Sequence, residues 1–536
     1  MSADILQREW DCIIVGTGMG GATLGHALAR AGWRVLFCEQ GRDTTRGGRS
    51  GDYAETYFDR PDYPQDKHGE ILQQAGRWAE SLVIEQNGRS HRHMPFIGCG
   101  TGGSSALYGM ALERFFPEDF EPARHHPGHN STLPERWPIS YRELLPFYAE
   151  AEALFDVRGS VDPLKANHGA SSFGTPPALT PLNQELFEHF QHKGLHPYQI
   201  PLACRLVEGC ACCQGYLCSK GCKIDAATAC LTPALRDFGA ALLDRCTVTR
   251  LHADTQRVSG VECLRDGERF TLRAPLVILA AGALNTPRIL LQSTSEQWPS
   301  GVANHSGLVG RNLMHHYTDL YVLTPRGRGD NRMKQIAFND LYLSPAGKLG
   351  TVQSFGRLPP PGILAESLKA DIAKSRFSAL QPVYGLVKPG LRRALGGMVE
   401  HSVVLATIVE DLPYADNQVR VVDGKIHIRY RTRPEELGRI QLMRSKMAEL
   451  LAPYAYKLIK QAENPELIAH ACGTCRAGDK PGDSVVDRNN RCHDLPNLYI
   501  VDSAFFPSSG GTNPSLTIAA NALRVARHLI DNARQP

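Results

Sequence analysis

Three glycines and one acid near the N-terminus carry the first chemical signal. Gly16, Gly18 and Gly21 stand in a G-x-G-x-x-G spacing, and Glu39 follows roughly 20 residues on. Gly16 permits a tight turn, Gly18 lets backbone amides approach a pyrophosphate, and Gly21 lets a helix pack closely on a strand. A pyrophosphate suits the start of such a helix, where unpaired N–H groups and the helix dipole favour negative charge. Glu39 suits a ribose diol and argues against a 2′-phosphate, and so against NADP. The spacing leaves NAD and FAD open. A second signal is a run of thiols: seven of the fifteen cysteines fall between Cys204 and Cys230. Four of them could hold structural zinc, which favours tetrahedral thiolate sites. A packed or partly disulfide-bonded loop is the alternative, and it is the expectation adopted, with no metal assigned.

These residues need a scaffold. Cys12 to Val15 is a short apolar run of the kind a buried parallel strand requires. Leu24 and Leu28 give the helix a periodic face, and Arg34 to Cys38 reads as the next strand. A glycine-rich turn with no ligand could share the spacing, but strand, helix and acid all agree with a nucleotide. Residues 43–90 show little periodicity and read as an excursion over the surface. Residues 97–112 form a second glycine-rich stretch whose backbone can lie flat against a ring or phosphate. Ser140 with Glu143 reads as a capping box ahead of an amphipathic helix.

Residues 246–263 alternate as paired strands, and 276–293 read as a buried strand followed by a helix. From 320 to 432 the character changes, with strand-like runs at 319–323 and 401–409. Residues 419–430 read as a hairpin turning on Asp423-Gly424. Together these predict an antiparallel substrate-side sheet, followed by a long helix from about Pro434 to Gln461. After Ala469 come glycine turns, a strand at 497–502 and a closing helix at 517–532. The nucleotide lobe is therefore expected to be assembled from discontinuous pieces.

Composition narrows the class. A chain of 536 residues has room for a large core, and a formal charge of +4 is too mild to imply a nucleic-acid partner. No apolar run approaches the ~18 residues that would span a bilayer. The opening MSADILQREW lacks a basic stretch followed by an apolar one, so no export signal is expected. A reducing cytoplasm is the simplest home for so many thiols.

Several runs together resemble the glucose–methanol–choline (GMC) oxidoreductases, FAD-dependent enzymes that mostly oxidise alcohols. They are the N-terminal glycine loop, GTGGSSALYGM (100–110), GALNTPRILLQS (282–293), VGRNLMHH (309–316) and the long stretch from HACGT to ARHL at the C-terminal end. WPISY and EDLPYADN (410–417) look most like the branch containing sugar and gluconate dehydrogenases. The resemblance implies an α/β fold: a Rossmann-like FAD-binding domain built from discontinuous segments, plus an α+β substrate domain with an antiparallel sheet. The expected division is 1–319 for FAD, with excursions at 43–90 and 140–200 and the cysteine-rich loop at 204–230. Substrate binding falls to 320–464, and 465–536 returns to the FAD domain with the catalytic motif.

The resemblance also implies roles. The histidine of the family's H-x-x-G-T motif falls on His470, expected as the base that takes a hydroxyl proton; an imidazole titrates near neutrality and suits the task. The partner position in N-P-x-L-T is Asn513, which can hydrogen-bond a substrate oxygen but cannot titrate. Cofactor contacts are expected from Gly16, Gly18, Gly21, Glu39, Gly102, Gly103, Ser104, Tyr108, Val248, Asp502, Ser503, Asn513 and Pro514, with Ala504 nearby. Tyr108 stands where many relatives carry Asn, and Ala477 where many carry Met. His315 and His316 are expected near the domain junction, without a direct catalytic role. His91 and His93 precede the second glycine loop, a region where some relatives tether flavin; ordinary loop histidines are the expectation.

Cys212, Cys218 and Cys222 resemble an iron–sulfur pattern of some bacterial relatives, although Lys223 stands where those show Pro. The activity implied is oxidation of a polar alcohol, a sugar, a polyol or a sugar-bearing natural product, with dioxygen or another acceptor taking the electrons. Carbon–carbon cleavage on the same fold, a NAD-dependent dehydrogenase, a flavoprotein that only carries electrons, and a flavin/iron–sulfur dehydrogenase with a partner protein are the rivals.

Overall fold

A computed structural model describes residues 3–533, apart from 46–48, 50, 59–67, 87–88, 211, 325–332, 346, 357–358, 362–363, 365–383 and 465. Parts of the 43–90 excursion and of the 320–464 region thus lie outside the described residues. Five short strands pair in parallel, in the order Leu498–Ile500, Leu276–Leu279, Cys12–Val15, Val35–Cys38, Ala241–Leu243. The central pair, CIIV and VLFC, is buried throughout, as continuous apolar runs covered on both faces must be. Cys12 lies opposite both Leu276 and Val35, so residues far apart in sequence share one register. The sheet draws on the beginning, the middle and the end of the chain.

Helices pack around this sheet. Met19–Arg30 follows the first strand and contacts the closing helix Ser515–Ala533, which also packs on Tyr141–Leu154. The Ser140 cap forms as expected. Its hydroxyl accepts from the Glu143 amide at 3.2 Å, and the Glu143 carboxylate accepts from the Ser140 amide at 2.9 Å.

A second, six-stranded sheet is ordered Ala455–Ile459, Tyr317–Thr324, Val403–Val409, Gly350–Ser354, Ile336–Phe338, Tyr198–Gln199, and its pairs are antiparallel. Two expectations change here. The hairpin Gln418–Val422 and Lys425–Arg429 forms, with Asp423 and Gly424 both at positive φ, as a primed turn requires. It does not join the substrate-side sheet. Lys425–Arg429 runs parallel to Leu82–Gln86 in a separate four-stranded sheet, because Val419, Ile426 and Ile428 bury against Leu82, Ile84 and Leu313. The long helix is also shorter than expected. Pro434–Leu450 ends before Pro453, which cannot continue it, and the chain re-enters the six-stranded sheet at Ala455.

Candidate active site

The first strand ends in the glycine turn. Gly16 sits at φ +99°, and a Cβ there would lie 2.4 Å from the Ala280 carbonyl oxygen; neither the backbone nor the space admits a side chain. A Cβ on Gly21 would lie 2.2 Å from the Gly16 oxygen, and Gly18 caps the helix with no side chain over its first amides. The second glycine stretch meets the first: a Cβ on Gly103 would stand 3.0 Å from the Gly18 Cα. Gly102 precedes a short turn of 3₁₀ helix, Gly103–Ala106, and the exposed Ser104 accepts a hydrogen bond from the Gly98 amide. The two loops therefore present open backbone side by side.

Glu39 is buried at the end of the second strand. Its carboxylate accepts from the Thr17 hydroxyl at 2.6 Å, the Thr17 amide at 3.1 Å and the Gly41 amide at 2.9 Å. Burial raises its pKa against those hydrogen bonds. Val248 is buried in the strand Thr247–Ala253, beside a register shift between Val248 and Arg250. Asp502 is buried and fully engaged, accepting from the Gly282 amide, the Thr286 hydroxyl and the Ala504 amide. It thereby ties GALNTPR to the C-terminal segment, two runs that the sequence separates widely. Ser503 donates to the Ala471 carbonyl at 2.7 Å and so fixes the residue after His470. Pro514 lies just ahead of the closing helix, and its carbonyl accepts from Ile518.

His470 lies on a segment held from both sides. Met314 and Cys472 exchange backbone hydrogen bonds, Gly473 bonds Ser503, and Cys475 bonds Ala504. Between these anchors and Ala469, whose carbonyl accepts from the His316 amide at 2.9 Å, His470 adopts φ +60°, a left-handed conformation that favours glycine. Its ring meets His316, with the two Nδ1 atoms 2.9 Å apart, while His316 Nε2 lies 2.8 Å from the Gly510 carbonyl oxygen. A carbonyl only accepts, so His316 Nε2 carries a proton. Burial lowers the pKa of His316, and it lowers that of His470 well below 6.5, with His316 and Lys334 pushing the same way; both rings are neutral at neutral pH. Neutral His316 then accepts at Nδ1, His470 donates from Nδ1, and the lone pair of His470 rests on Nε2. Among the described residues no group hydrogen-bonds that Nε2. The arrangement yields an oriented base.

Three residues past Gly510, Asn513 is buried with its side-chain oxygen unpartnered among the described residues, and so is the Thr512 hydroxyl. Buried polar atoms seldom lack a partner, and these suit a ligand. The glycine backbone and Glu39, whose Oε1 keeps acceptor capacity, suit a dinucleotide.

The other residues singled out by the sequence lie around this site and beyond it. The Tyr108 hydroxyl donates to the Ile224 carbonyl at 2.5 Å, so it braces the cysteine-rich loop and does not present a free hydroxyl. His315 is core: its ring packs on Tyr430 and its amide bonds Asp411. Ala477 and Ala504 are buried beside the 503–505 turn. His91 and His93 face Glu466, at 3.2 and 3.7 Å. Cys212, Cys218 and Cys222 do not converge as a set; Cys204, Cys210 and Cys222 do, and the Cys212 thiol turns to Met333. Sequence reasoning missed Lys334, a buried ammonium that acts on His470, and the part played by His316. The paired histidines after NLM were its only signal.

Two family models match, each described as GMC oxidoreductase, one over residues 10–318 and the other over 413–522. The chain is 31% identical to a paromamine 6'-oxidase of Streptomyces fradiae and 30% identical to a 6'''-hydroxyparomomycin C oxidase of Streptomyces lividus. Each alignment covers 97% of this chain and 91% of the relative. Its fold resembles that of pyridoxine 4-oxidase from Mesorbium loti, with a TM-score of 0.63 and 22% identity over 97% of this chain and 99% of that one. With family models matched near both ends and 97% of its length aligned, this chain belongs to the GMC oxidoreductases, a family of FAD-binding enzymes.

Proposed function

We propose that this enzyme oxidises a hydroxyl group of a polar alcohol to a carbonyl, with His470 as the base and Asn513 as the residue that holds the substrate oxygen. The hydrogen-bond chain from His470 through His316 to the Gly510 carbonyl carries this reading, because it leaves an unprotonated, unpartnered Nε2. Bound FAD supplies the acceptor for the hydride that leaves carbon, and dioxygen or another acceptor then takes the two electrons.

The chain's own residues do the rest. His470 Nε2 takes the hydroxyl proton, and the positive charge that develops on its ring is shared through His316 with a fixed carbonyl dipole. Asn513 donates to the same oxygen and keeps the carbon in line. Residues of 1–319 and 465–536 would hold the cofactor: Gly16, Gly18, Gly21 and Gly102–Ser104 would offer backbone to the pyrophosphate, and Glu39 would take the ribose. Val248 would serve the adenine end through its backbone, and Tyr108, Asp502, Ser503 and Pro514 would line the site. Residues 320–464 shape the substrate side. Two full-length relatives named for oxidising paromamine and 6'''-hydroxyparomomycin C favour a sugar-bearing substrate over a small aliphatic alcohol. Among the described residues no cysteine is disulfide-bonded, which suits a reducing cytoplasm, and no helix is long and apolar enough to cross a membrane.

The test is anaerobic bleaching of the flavin spectrum by a panel of sugars, polyols and amino sugars, repeated with His470→Ala. One class should bleach the wild type. The variant should keep its flavin absorbance and lose ~100-fold or more in rate. An equal bleaching rate in the variant removes His470 as the base.

A further inference from the structure

The cysteine-rich loop leaves the main chain at Cys204 and returns at Lys223, where the two residues form an antiparallel bridge and the Arg205 amide donates to the Cys222 carbonyl at 2.8 Å. Between these ends the described residues form no helix or strand. A long stretch without regular structure inside a compact fold needs another source of order. The loop instead gathers sulfur. Cys204, Cys210 and Cys222 present Sγ atoms that all lie within 4.8 Å of one another. The Cys204–Cys210 separation is 4.0 Å, Cys210–Cys222 is 3.2 Å, and Cys218–Cys222 is 3.4 Å. Cys204, Cys218 and Cys222 are buried, and Cys210 is partly so.

We infer that Cys204, Cys210 and Cys222 hold one structural zinc ion, with Cys218, 3.4 Å from Cys222 but outside the group of three, turning in as the fourth ligand. Thiolates bind zinc tetrahedrally at about 2.3 Å, which sets neighbouring sulfurs about 3.8 Å apart. Cys210 lies 4.0 Å from Cys204 and 3.2 Å from Cys222, on either side of that edge, and Cys218, outside the group of three, draws in to complete the tetrahedron. An iron–sulfur cluster that takes one thiolate per iron spreads its ligands farther apart than the irons themselves, and these sulfurs are too close for that. The chain order also suits zinc: Cys204-x5-Cys210 on the outgoing arm and Cys218-x3-Cys222 on the return give two ligand pairs, as in two-knuckle zinc sites. Four thiolates on one dication leave a net charge of −2. Lys223 stands next in sequence to Cys222, fully buried, its ammonium donating to the Ala106 and Tyr216 carbonyls. A buried ammonium is costly unless an anion lies near; the buried Asp225 carboxylate acts on Lys223, and the zinc–thiolate group would add a second anion. Through Ala106 the same lysine braces the turn Gly103–Ala106, so the metal would stiffen the second glycine loop from behind.

The experiment is metal and sulfide analysis of the full-length flavoprotein purified without added metal or chelator. It is repeated on Cys210→Ser, Cys222→Ser, Cys213→Ser and Cys263→Ser; Cys263 belongs to a separate buried trio with Cys38 and Cys246. The expected result is about one zinc per chain, without iron or acid-labile sulfide, lost in the Cys210 and Cys222 variants and kept in the other two. Should the first two variants fail to fold, wild type refolded with cobalt decides alone. Intense thiolate-to-cobalt absorbance from a tetrahedral site supports the assignment, and its absence refutes it. Iron with sulfide, zinc that disappears only in Cys263→Ser, or metal-free protein with all four thiols titratable would each overturn it.

Discussion

His470 gains its chemistry from a residue 154 positions away. An imidazole can carry its proton on either nitrogen, and only one choice leaves Nε2 free. His316 makes that choice by spending its own Nε2–H on Gly510. His316 is thus a positioning residue, and its replacements should rank by what they can still do. His316→Leu removes the acceptor for His470 Nδ1–H and should lower kcat ~10-fold or more; His316→Gln, which can both donate and accept, should recover part of the loss. KM and flavin content should change little in either, and steady-state kinetics with flavin titration checks all three. Lys334 gives a second handle, through pH. Its ammonium, itself lowered to about 8 by burial, adds to the burial that keeps His470 below 6.5. A base with a depressed pKa stays unprotonated further into acid, so the acid limb of kcat/KM should lie below pH 6.5. Lys334→Met removes a positive neighbour, makes protonation of His470 easier, and should move that limb upward in pH–rate profiles. The proposed base can be singled out in the sequence because its motif is local. The tautomer cannot, because it depends on a contact between segments that no spacing reports.

At the scale of elements, the nucleotide turn was legible almost completely. Strand, glycines, helix and acid are neighbours in sequence, and each local preference agrees with the others. What escaped was pairing over distance. The hairpin at 418–429 was recognisable from Asp423-Gly424, but its partner strand Leu82–Gln86 lies in a stretch without clear periodicity, and the partner is chosen by which apolar face is left to cover. The contact between the two glycine loops escaped for the same reason, and it makes a sharp prediction. Gly103 and Gly32 both have positive φ, at +53° and +92°, yet a Cβ on Gly32 meets nothing within 4 Å, whereas one on Gly103 stands 3.0 Å from the Gly18 Cα. Each Ala substitution should cost ~1–2 kcal/mol of backbone strain. Only Gly103→Ala should also push the loops apart. Thermal unfolding should therefore show similar losses for the two apoproteins, while the flavin-to-protein ratio falls in Gly103→Ala alone.

Across the whole molecule, the segment 117–126 is joined to the antiparallel sheet by buried charge as well as by apolar packing. Lys348 lies 2.5 Å from Asp119 and 2.8 Å from Glu410, and Glu410 lies 2.8 Å from His126. Asp119 and His126 come from the segment ahead of the Tyr141 helix, Lys348 from the turn before Gly350–Ser354, and Glu410 from the end of Val403–Val409. Such a group adds little over apolar residues of the same shape, but losing one member strands the others in a dry interior, at a cost of about 3–5 kcal/mol. Glu410→Gln should accordingly lower the unfolding free energy by about that much at pH 7. The sign with pH follows from the carboxyl. Burial alone would raise its pKa, but Lys348 and His126 outweigh burial and hold it below 4.5. A depressed folded-state pKa contributes stability that is fully present above the unfolded value and is lost as pH falls toward the folded one. The gap between wild type and Glu410→Gln should therefore be widest near neutrality and shrink below about pH 4.5. Denaturant unfolding at pH 7 and at pH 4 measures both values, and a gap that stays constant would mean that the lost stability was packing and not charge.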